Sequence, residues 1–200
     1  DAALMDDWLF NMRSHGVDFL QKTVSLPPEP RVPTYELLYF IDAVGTGRNL
    51  AADIRARPDF YTVGERLPDL DFSALDFYTD RALRQGLVRY NTGHLEVTEP
   101  SPLVKHIHRQ AVRYLRSKGY QDQDLFVKIK DEQPADQFPA MAATARWLKE
   151  DCGLRPFGTF HLLFSHPDYL AILNPWFDMY QSGFTTRAVY RQRIEEGALL

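Results

Sequence analysis

Hydrophobic positions along the chain follow two alternating patterns, and a glycine repeatedly marks the change from one to the other. Apolar residues spaced three and four apart predict helices over the segments 2–15, 71–85, 101–118, 137–151 and 185–196. Each helix ends at a residue that adopts the left-handed terminal conformation easily: Gly16, Gly86, Gly119, Gly153 and Gly197. An apolar run follows each glycine, so the pattern predicts helices that alternate with strands.

Strand-like runs follow four of these glycines: "VDFLQKTV", "LVRYN", "DLFVKIK" and "RPFGTFHLL". The segments 36–44 and 175–180, "ELLYFIDAV" and "PWFDMY", add two more. Strands that alternate with helices form parallel sheets built from βα units. We therefore predict an α/β fold, a (β/α) barrel of TIM type with about six units in a single domain over residues 1–200. An open doubly wound sheet is the alternative.

The segment 43–70 fits no simple βα unit, and we predict an insertion or a long βα loop with a short helix there. Its "GTGRN" lacks the Gly-Lys-Ser/Thr of a phosphate-binding loop, and "VGTG" does not complete a dinucleotide-binding GxGxxG. The chain opens inside a helical pattern and closes on a glycine followed by apolar residues. It is therefore interpreted as part of a longer protein.

Composition narrows the classes of function without selecting one. Hydrophobic residues make up 44% of the chain and charged residues 25%, values typical of globular proteins. The net charge of −4 gives no electrostatic reason to expect a nucleic-acid partner. No apolar run approaches the ~20 residues of a membrane-spanning helix. The single Cys152 has no obvious base beside it and is predicted to be a buried structural thiol.

Two adjacent carboxylates follow the strand-like run "LFVKIK". Leu125, Val127 and Ile129 alternate along this run, and Asp131 and Glu132 stand at its end. In parallel α/β folds, ligands bind at the carboxyl ends of the strands, so the pair is a candidate catalytic site. The alternative is that both carboxylates interact with the dipole of the following helix at its N-terminus.

The stretch "YLRSKGYQDQDLFVKIKDEQPADQFPAMAATARWLKE" resembles the central segment of glycoside hydrolase family 123 and its relatives. In that family a helix ending in Lys-Gly precedes a strand, an Asp-Glu pair, a proline and a further helix. "DFYTDRALRQGLVRYN" and "HPDYLAILNPWFDMY" resemble neighbouring stretches of the same family. The resemblance extends over most of residues 1–200 and implies a (β/α)8-barrel β-N-acetylgalactosaminidase.

The resemblance also implies a mechanism, a role for each acid and a location. Members of the family are understood to let the 2-acetamido group of the sugar attack the anomeric carbon. Glu132 then corresponds to the general acid/base, and Asp131 to the residue that orients the acetamido group. Substrate assistance suits neighbouring carboxylates, because a protein nucleophile must stand ~5 Å from the acid, across the scissile bond. No cofactor is implied, and the expected location is secreted or periplasmic.

Three residues depart from the family pattern. Strict strand alternation places Lys128 and Lys130 on the same face as Glu132, where a cation would lower the pKa of that carboxyl group. A general acid needs a raised pKa, so the lysines count against catalysis unless the strand end breaks the alternation. Gln133 lengthens the usual Asp-Glu-Pro by one residue. The alternative function is therefore a non-catalytic homologue that binds a glycan or a partner protein.

Other residues at predicted strand ends are candidate contacts to a carbohydrate substrate: Asp42, Tyr90, Asn91, His161, Trp176, Asp178 and Tyr180. Tyr90 and Asn91 could bind sugar hydroxyls, and an aromatic ring could stack on a pyranose. The sequence does not distinguish galacto from gluco specificity. His106 and His108 do not predict a metal site, because residues two apart in a helix do not share a face.

Overall fold

The computed structural model describes residues 2–15, 19–21, 41–63, 66–95, 100–131, 134–159, 167–173, 175–181 and 195. The chain divides into two compact units, residues 1–93 with 101–125 and residues 94–100 with 126–200. Each unit buries apolar side chains of its own. None of the helices in the described ranges is both long and apolar enough to cross a membrane.

The described residues of the first unit form five α-helices: α1 (Ala2–Ser14), α2 (Leu50–Ala56), α3 (Pro58–Val63), α4 (Asp76–Arg84) and α5 (Pro102–Ser117). Helix α5 begins as predicted, because the side chain of Ser101 accepts a hydrogen bond from the backbone N–H of Val104 at 3.3 Å, and Pro102 follows. Its apolar face is buried in the interior of the unit through Leu103, Val104, Ile107, Ala111, Val112 and Leu115.

The strands of the first unit pair in two ways. Strand β1 (Phe19–Gln21) runs parallel to β5 (Arg89–Leu95). Strand β2 (Asp42–Ala43) instead pairs antiparallel with both β3 (Arg48–Asn49) and β4 (Leu70–Asp71). The turn between β2 and β3 contains Gly45 and Gly47, both at positive φ, so "GTGRN" forms a hairpin.

The described part of the second unit combines parallel strands with two helices. Strands β6 (Leu125–Asp131), β7 (Arg155–Thr159) and β8 (Met179–Gln181) lie in that order. Helix α6 (Phe138–Trp147) continues as one π-helical turn to Cys152 and packs against α7 (Pro167–Leu173). The rings of Phe126 and Phe157 meet edge to face with 6.5 Å between their centres. Cys152 is buried as predicted.

The prediction of a TIM-type barrel is wrong. A TIM barrel needs eight parallel strands closed on themselves. The described strands include an antiparallel set of three, β3-β2-β4, and no barrel is formed among them. The segment 43–70, predicted as an insertion or a long βα loop with a short helix, contributes short strands and the helices α2 and α3 among the residues that the structure describes.

A buried carboxylate joins α2 to α3 in the first unit. Asp53 is 1% exposed, and its oxygens accept hydrogen bonds from two nitrogens of Arg57 and from the Tyr61 hydroxyl. Arg48 lies 4.0 Å away. The hydrogen bonds from Arg57 hold the pKa of Asp53 below its usual value and keep the carboxylate charged.

Replacing Asp53 with alanine is expected to lower the free energy of unfolding by about 3 kcal/mol, because the Tyr61 hydroxyl and the Arg57 guanidinium lose their shared acceptor. Urea unfolding followed by circular dichroism measures this loss. Asp59→Ala is the matched control, since Asp59 is exposed on α3, and it should cost less than about 1 kcal/mol. Equal effects of the two substitutions would contradict a structural role for the Asp53 cluster.

Candidate functional site

Asp131 is the last residue of β6, the first strand of the parallel set in the second unit. Leu125, Phe126, Val127 and Ile129 are buried, so this strand is enclosed on both faces before it reaches its carboxyl end. Asp131 pairs with Thr159 at the end of β7. Its side chain, Glu132 and Gln133 lie outside the residues and side chains that the structure describes.

The pairing of β6 with β7 is irregular near this end. Phe126, Val127 and Lys128 pair with successive residues of β7, but the register shifts between Lys128 and Asp131. A bulge of this kind re-aims the side chains that follow it. Side chains therefore do not alternate regularly between Lys128 and the end of the strand. Alternation is then no reason to place Lys128 and Glu132 on the same face.

The carboxyl edge of this sheet is defined by three residues in register. Asp131 pairs with Thr159, and Thr159 pairs with Gln181 of β8. Tyr180, a predicted contact to the sugar, precedes Gln181 and pairs with Gly158. The backbone thus places Tyr180 near the same edge as Asp131, while its side chain is outside the description. His161, another candidate, also lies outside the described residues.

Trp176 and Asp178 lie near the opposite edge of the same sheet. Asp178 directly precedes β8, and its carboxylate accepts a hydrogen bond from Lys149 at 2.9 Å and pairs with Arg155, the first residue of β7, at 3.6 Å. The guanidinium of Arg146 lies 5.3 Å from the Trp176 ring centre. The structure therefore does not bring these two candidates together with Asp131.

Tyr90 and Asn91 belong to the first unit and lie near the beginning of β5, which continues to Leu95 beyond the predicted strand end. Both side chains are buried. The Tyr90 ring meets that of Tyr120 edge to face, with 5.4 Å between centres, and burial raises the pKa of its hydroxyl. Burial against the Tyr120 ring gives Tyr90 a packing role.

Asp42 is exposed in β2 of the antiparallel sheet.

The residues described contain no group of three or more His, Cys, Asp or Glu side chains that could hold a metal ion. His106 and His108 lie inside α5, as predicted from the sequence. His108 is fully buried, while His106 is partly exposed and its Nε2 lies 2.7 Å from the carbonyl oxygen of Pro68.

Comparisons with family models, with curated proteins and with solved structures find no match for the chain. Besides the edge of β6, the part of the chain that the structure describes includes a feature with the shape of a binding site, which sequence patterns did not predict.

This feature is an open groove of about 440 Å³ in the first unit, called the Tyr114 groove here. Its volume falls within the ~300–1,000 Å³ of small-ligand pockets. Two segments far apart in sequence line it: Leu70, Asp71, Phe72, Ser73 and Asp76 from β4 to α4, and Gln110, Arg113 and Tyr114 from α5. The sequence indicates only one part of this arrangement: the three α5 residues are spaced three and four apart, so they share a face of the helix.

Hydrogen bonds fix the side chains at the α4 end of the groove. The Tyr114 hydroxyl donates to Asp76 Oδ1 at 2.7 Å and lies 3.1 Å from Thr79 Oγ1. Lys118 Nζ lies 2.8 Å from the same Asp76 oxygen and 3.0 Å from Asp80. Lys118 is the main reason that the pKa of Asp76 lies below its usual value, whereas burial raises the pKa of Tyr114.

The other end of the groove joins α5 to β4. Gln110 Oε1 accepts a hydrogen bond from the Leu70 backbone N–H at 3.0 Å, and Gln110 Nε2 lies 2.6 Å from His106 Nε2. The Phe72 ring stacks on Tyr114 with 5.3 Å between centres. An apolar floor thus lies beneath a polar rim.

Proposed function

We propose that the chain is a glycoside hydrolase that cleaves a β-linked 2-acetamido-2-deoxy sugar, an N-acetylgalactosamine-like residue, by a substrate-assisted retaining mechanism. The observation that carries the proposal is the position of Asp131 at the carboxyl end of a buried parallel strand, with Glu132 next in the chain. The proposal does not depend on a barrel, because any parallel sheet presents its strand ends along one edge.

The chemistry divides between the two acids and the substrate. The acetamido oxygen attacks the anomeric carbon as the glycosidic bond breaks, and Glu132 gives its proton to the departing oxygen. Asp131 accepts the acetamido N–H and orients that group while positive charge develops on it. A water then attacks the anomeric carbon of the cyclic intermediate, its proton returns to Glu132, and the product keeps its β configuration.

The irregular end of β6 supports this assignment. Strict alternation would have placed Lys128 on the face of Glu132 and lowered the pKa of that carboxyl group. The register shift between Lys128 and Asp131 removes the geometric basis of that objection for Lys128. Thr159 and Gln181, in register with Asp131, supply further polar residue types along the same edge.

The test is to compare two aryl β-galactosides that differ only at carbon 2. The full protein should hydrolyse the 2-acetamido compound, and hydrolysis of the 2-hydroxy compound should be at least about 100-fold slower, because that substrate lacks the internal nucleophile. Release of the aryl alcohol measures both rates. Equal rates would exclude substrate assistance. Binding of the sugar without any turnover would favour the alternative, a non-catalytic glycan-binding homologue.

A further inference from the structure

We propose that the Tyr114 groove is a second carbohydrate-binding site, which takes one neutral sugar residue of a glycan through Asp71, Asp76 and Arg113. The identity of the sugar, a 2-acetamido-2-deoxy sugar, rests on the proposed function. The presence of a saccharide site rests only on the groove itself. Such a site would hold a glycan substrate on the protein independently of the residues that cleave it.

The groove is organised before any ligand arrives. Asp76 is held between the Tyr114 hydroxyl and Lys118, and the Tyr114 ring is held by its stacking on Phe72. Gln110 is fixed by the Leu70 backbone. A ligand therefore meets side chains whose conformational entropy is already reduced, and fixing them costs it little further free energy.

Charges of both signs surround the groove and nearly cancel, which favours a neutral ligand. Asp71 and Asp76 contribute two negative charges to the lining, and Arg113 contributes one positive charge. Lys118 adds a positive charge through its ion pair with Asp76, and its second partner, Asp80, adds a negative one, so one negative charge is left in excess. No single sign of charge dominates, so the groove lacks the field that would concentrate a phosphate or a polyamine.

The rim of the groove presents both hydrogen-bond acceptors and hydrogen-bond donors. Within the described residues, Tyr114 and Lys118 both contact Oδ1 of Asp76, and the Ser73 N–H contacts Oδ1 of Asp71. The Oδ2 atoms are therefore acceptors for a ligand. Arg113 donates its Nε hydrogen to Arg109 O at 3.4 Å, so its terminal nitrogens are available as donors.

A sugar residue matches these groups closely. Each ring hydroxyl donates one hydrogen bond and accepts others, so neighbouring hydroxyls can bind a carboxylate and a guanidinium together. The apolar C–H face of a pyranose suits the floor formed by Leu70, Phe72 and Tyr114. A zwitterionic amino acid also has no net charge. It has one donor group and one acceptor group, however, whereas the rim of the groove has several donors and acceptors to be matched.

The experiment is an NMR titration of the Glu132→Gln protein with methyl 2-acetamido-2-deoxy-β-galactoside, in which turnover is blocked. Backbone amide shifts are expected to change around the groove, at Ser73, Asp76, Arg113 and Tyr114. Adding the Arg113→Ala substitution should raise the dissociation constant measured from these shifts roughly tenfold, as expected when a hydrogen bond to a charged group is lost.

Arg109→Ala is the matched control, because Arg109 is exposed on the same helix and does not line the groove. It should leave the dissociation constant unchanged, and thermal unfolding should show both variants folded. No shifts at the groove, shifts that Arg113→Ala leaves unaltered, or equal binding of glycine in place of the sugar would overturn the proposal. The groove and the hydrolase are tested separately. If the wild-type protein hydrolyses the substrate but the groove amides do not shift, only the proposal of a second sugar site is rejected. If the groove amides shift but the wild-type protein does not hydrolyse the substrate, only the proposed enzyme activity is rejected.

Discussion

Replacing Glu132 with glutamine is expected to lower kcat for an aryl 2-acetamido-2-deoxy-β-galactoside by about 100- to 10,000-fold, the usual contribution of a general acid/base. Glutamine has nearly the same size but cannot give a proton to the departing oxygen. The loss should be smaller for a substrate whose aryl alcohol is a strong acid, because such a leaving group needs little protonation. Steady-state rates with two aryl groups of different acidity measure both effects.

Asp131→Asn distinguishes the two carboxylates. The amide keeps an oxygen that can accept the acetamido N–H, but it loses the charge that stabilises the cyclic intermediate. We expect a large loss of kcat with both aryl groups, since Asp131 does not act on the leaving oxygen. Asp136→Asn, an exposed carboxylate shortly after β6, is the control and should keep the wild-type rate. Full activity of the Glu132→Gln protein would reject the assigned chemistry.

Local features of the fold followed from local sequence. Gly86, Gly119 and Gly153 all have positive φ at the ends of their helices, as the alternation of helix and glycine predicted. After α5, the backbone N–H of Tyr120 closes the helix on Leu115 O at 3.2 Å. Such endings depend on a few neighbouring residues and on the conformational freedom of glycine, so a single sequence is sufficient to predict them.

The arrangement of the strands did not follow in the same way. A helix–glycine–strand order is common to barrels and to open sheets, and it leaves strand partners undetermined. The antiparallel pairing of β2 with β4 joins residues 42–43 to 70–71, the two ends of the segment interpreted as an insertion or a long βα loop. Pairing over that distance depends on packing between elements, which hydrophobic periodicity alone does not encode.

The candidate site shows the same limit. The position of Asp131 at the end of β6 was predicted from alternating residues within one strand. The sequence did not predict that Trp176 and Asp178 lie away from that edge. The strand predicted over 175–180 begins only at Met179 in the structure, so both residues precede it. Nor could the Tyr114 groove be predicted, since α5 and the segment 70–76 meet only after folding.

Helix α5 also contains a buried histidine that should make stability sensitive to acid. His108 is fully buried on the same side of the helix as Val104, Ile107 and Leu115. Burial lowers its pKa to about 3, against the ordinary value of 6.5. In the unfolded chain His108 therefore binds a proton near pH 6.5, while in the folded chain it stays neutral until the pH is far lower.

A depressed histidine pKa destabilises the fold in acid. Above pH 6.5 both states are neutral at His108, and the residue gives no pH dependence. Between 6.5 and about 3 only the unfolded state is protonated, so the free energy of unfolding should fall by up to ~1.4 kcal/mol per pH unit through this residue alone. Urea unfolding at a series of pH values measures the slope.

His108→Gln, which has no titrating group, should remove this part of the slope, even if the variant is less stable near neutrality. The exposed His15, directly after the end of α1, provides the control, and His15→Gln should keep the wild-type slope. The comparison uses slopes, so a constant loss of packing in His108→Gln does not affect it. A wild-type slope in the His108→Gln protein would mean that other groups, such as buried carboxylates that must be protonated, govern acid unfolding.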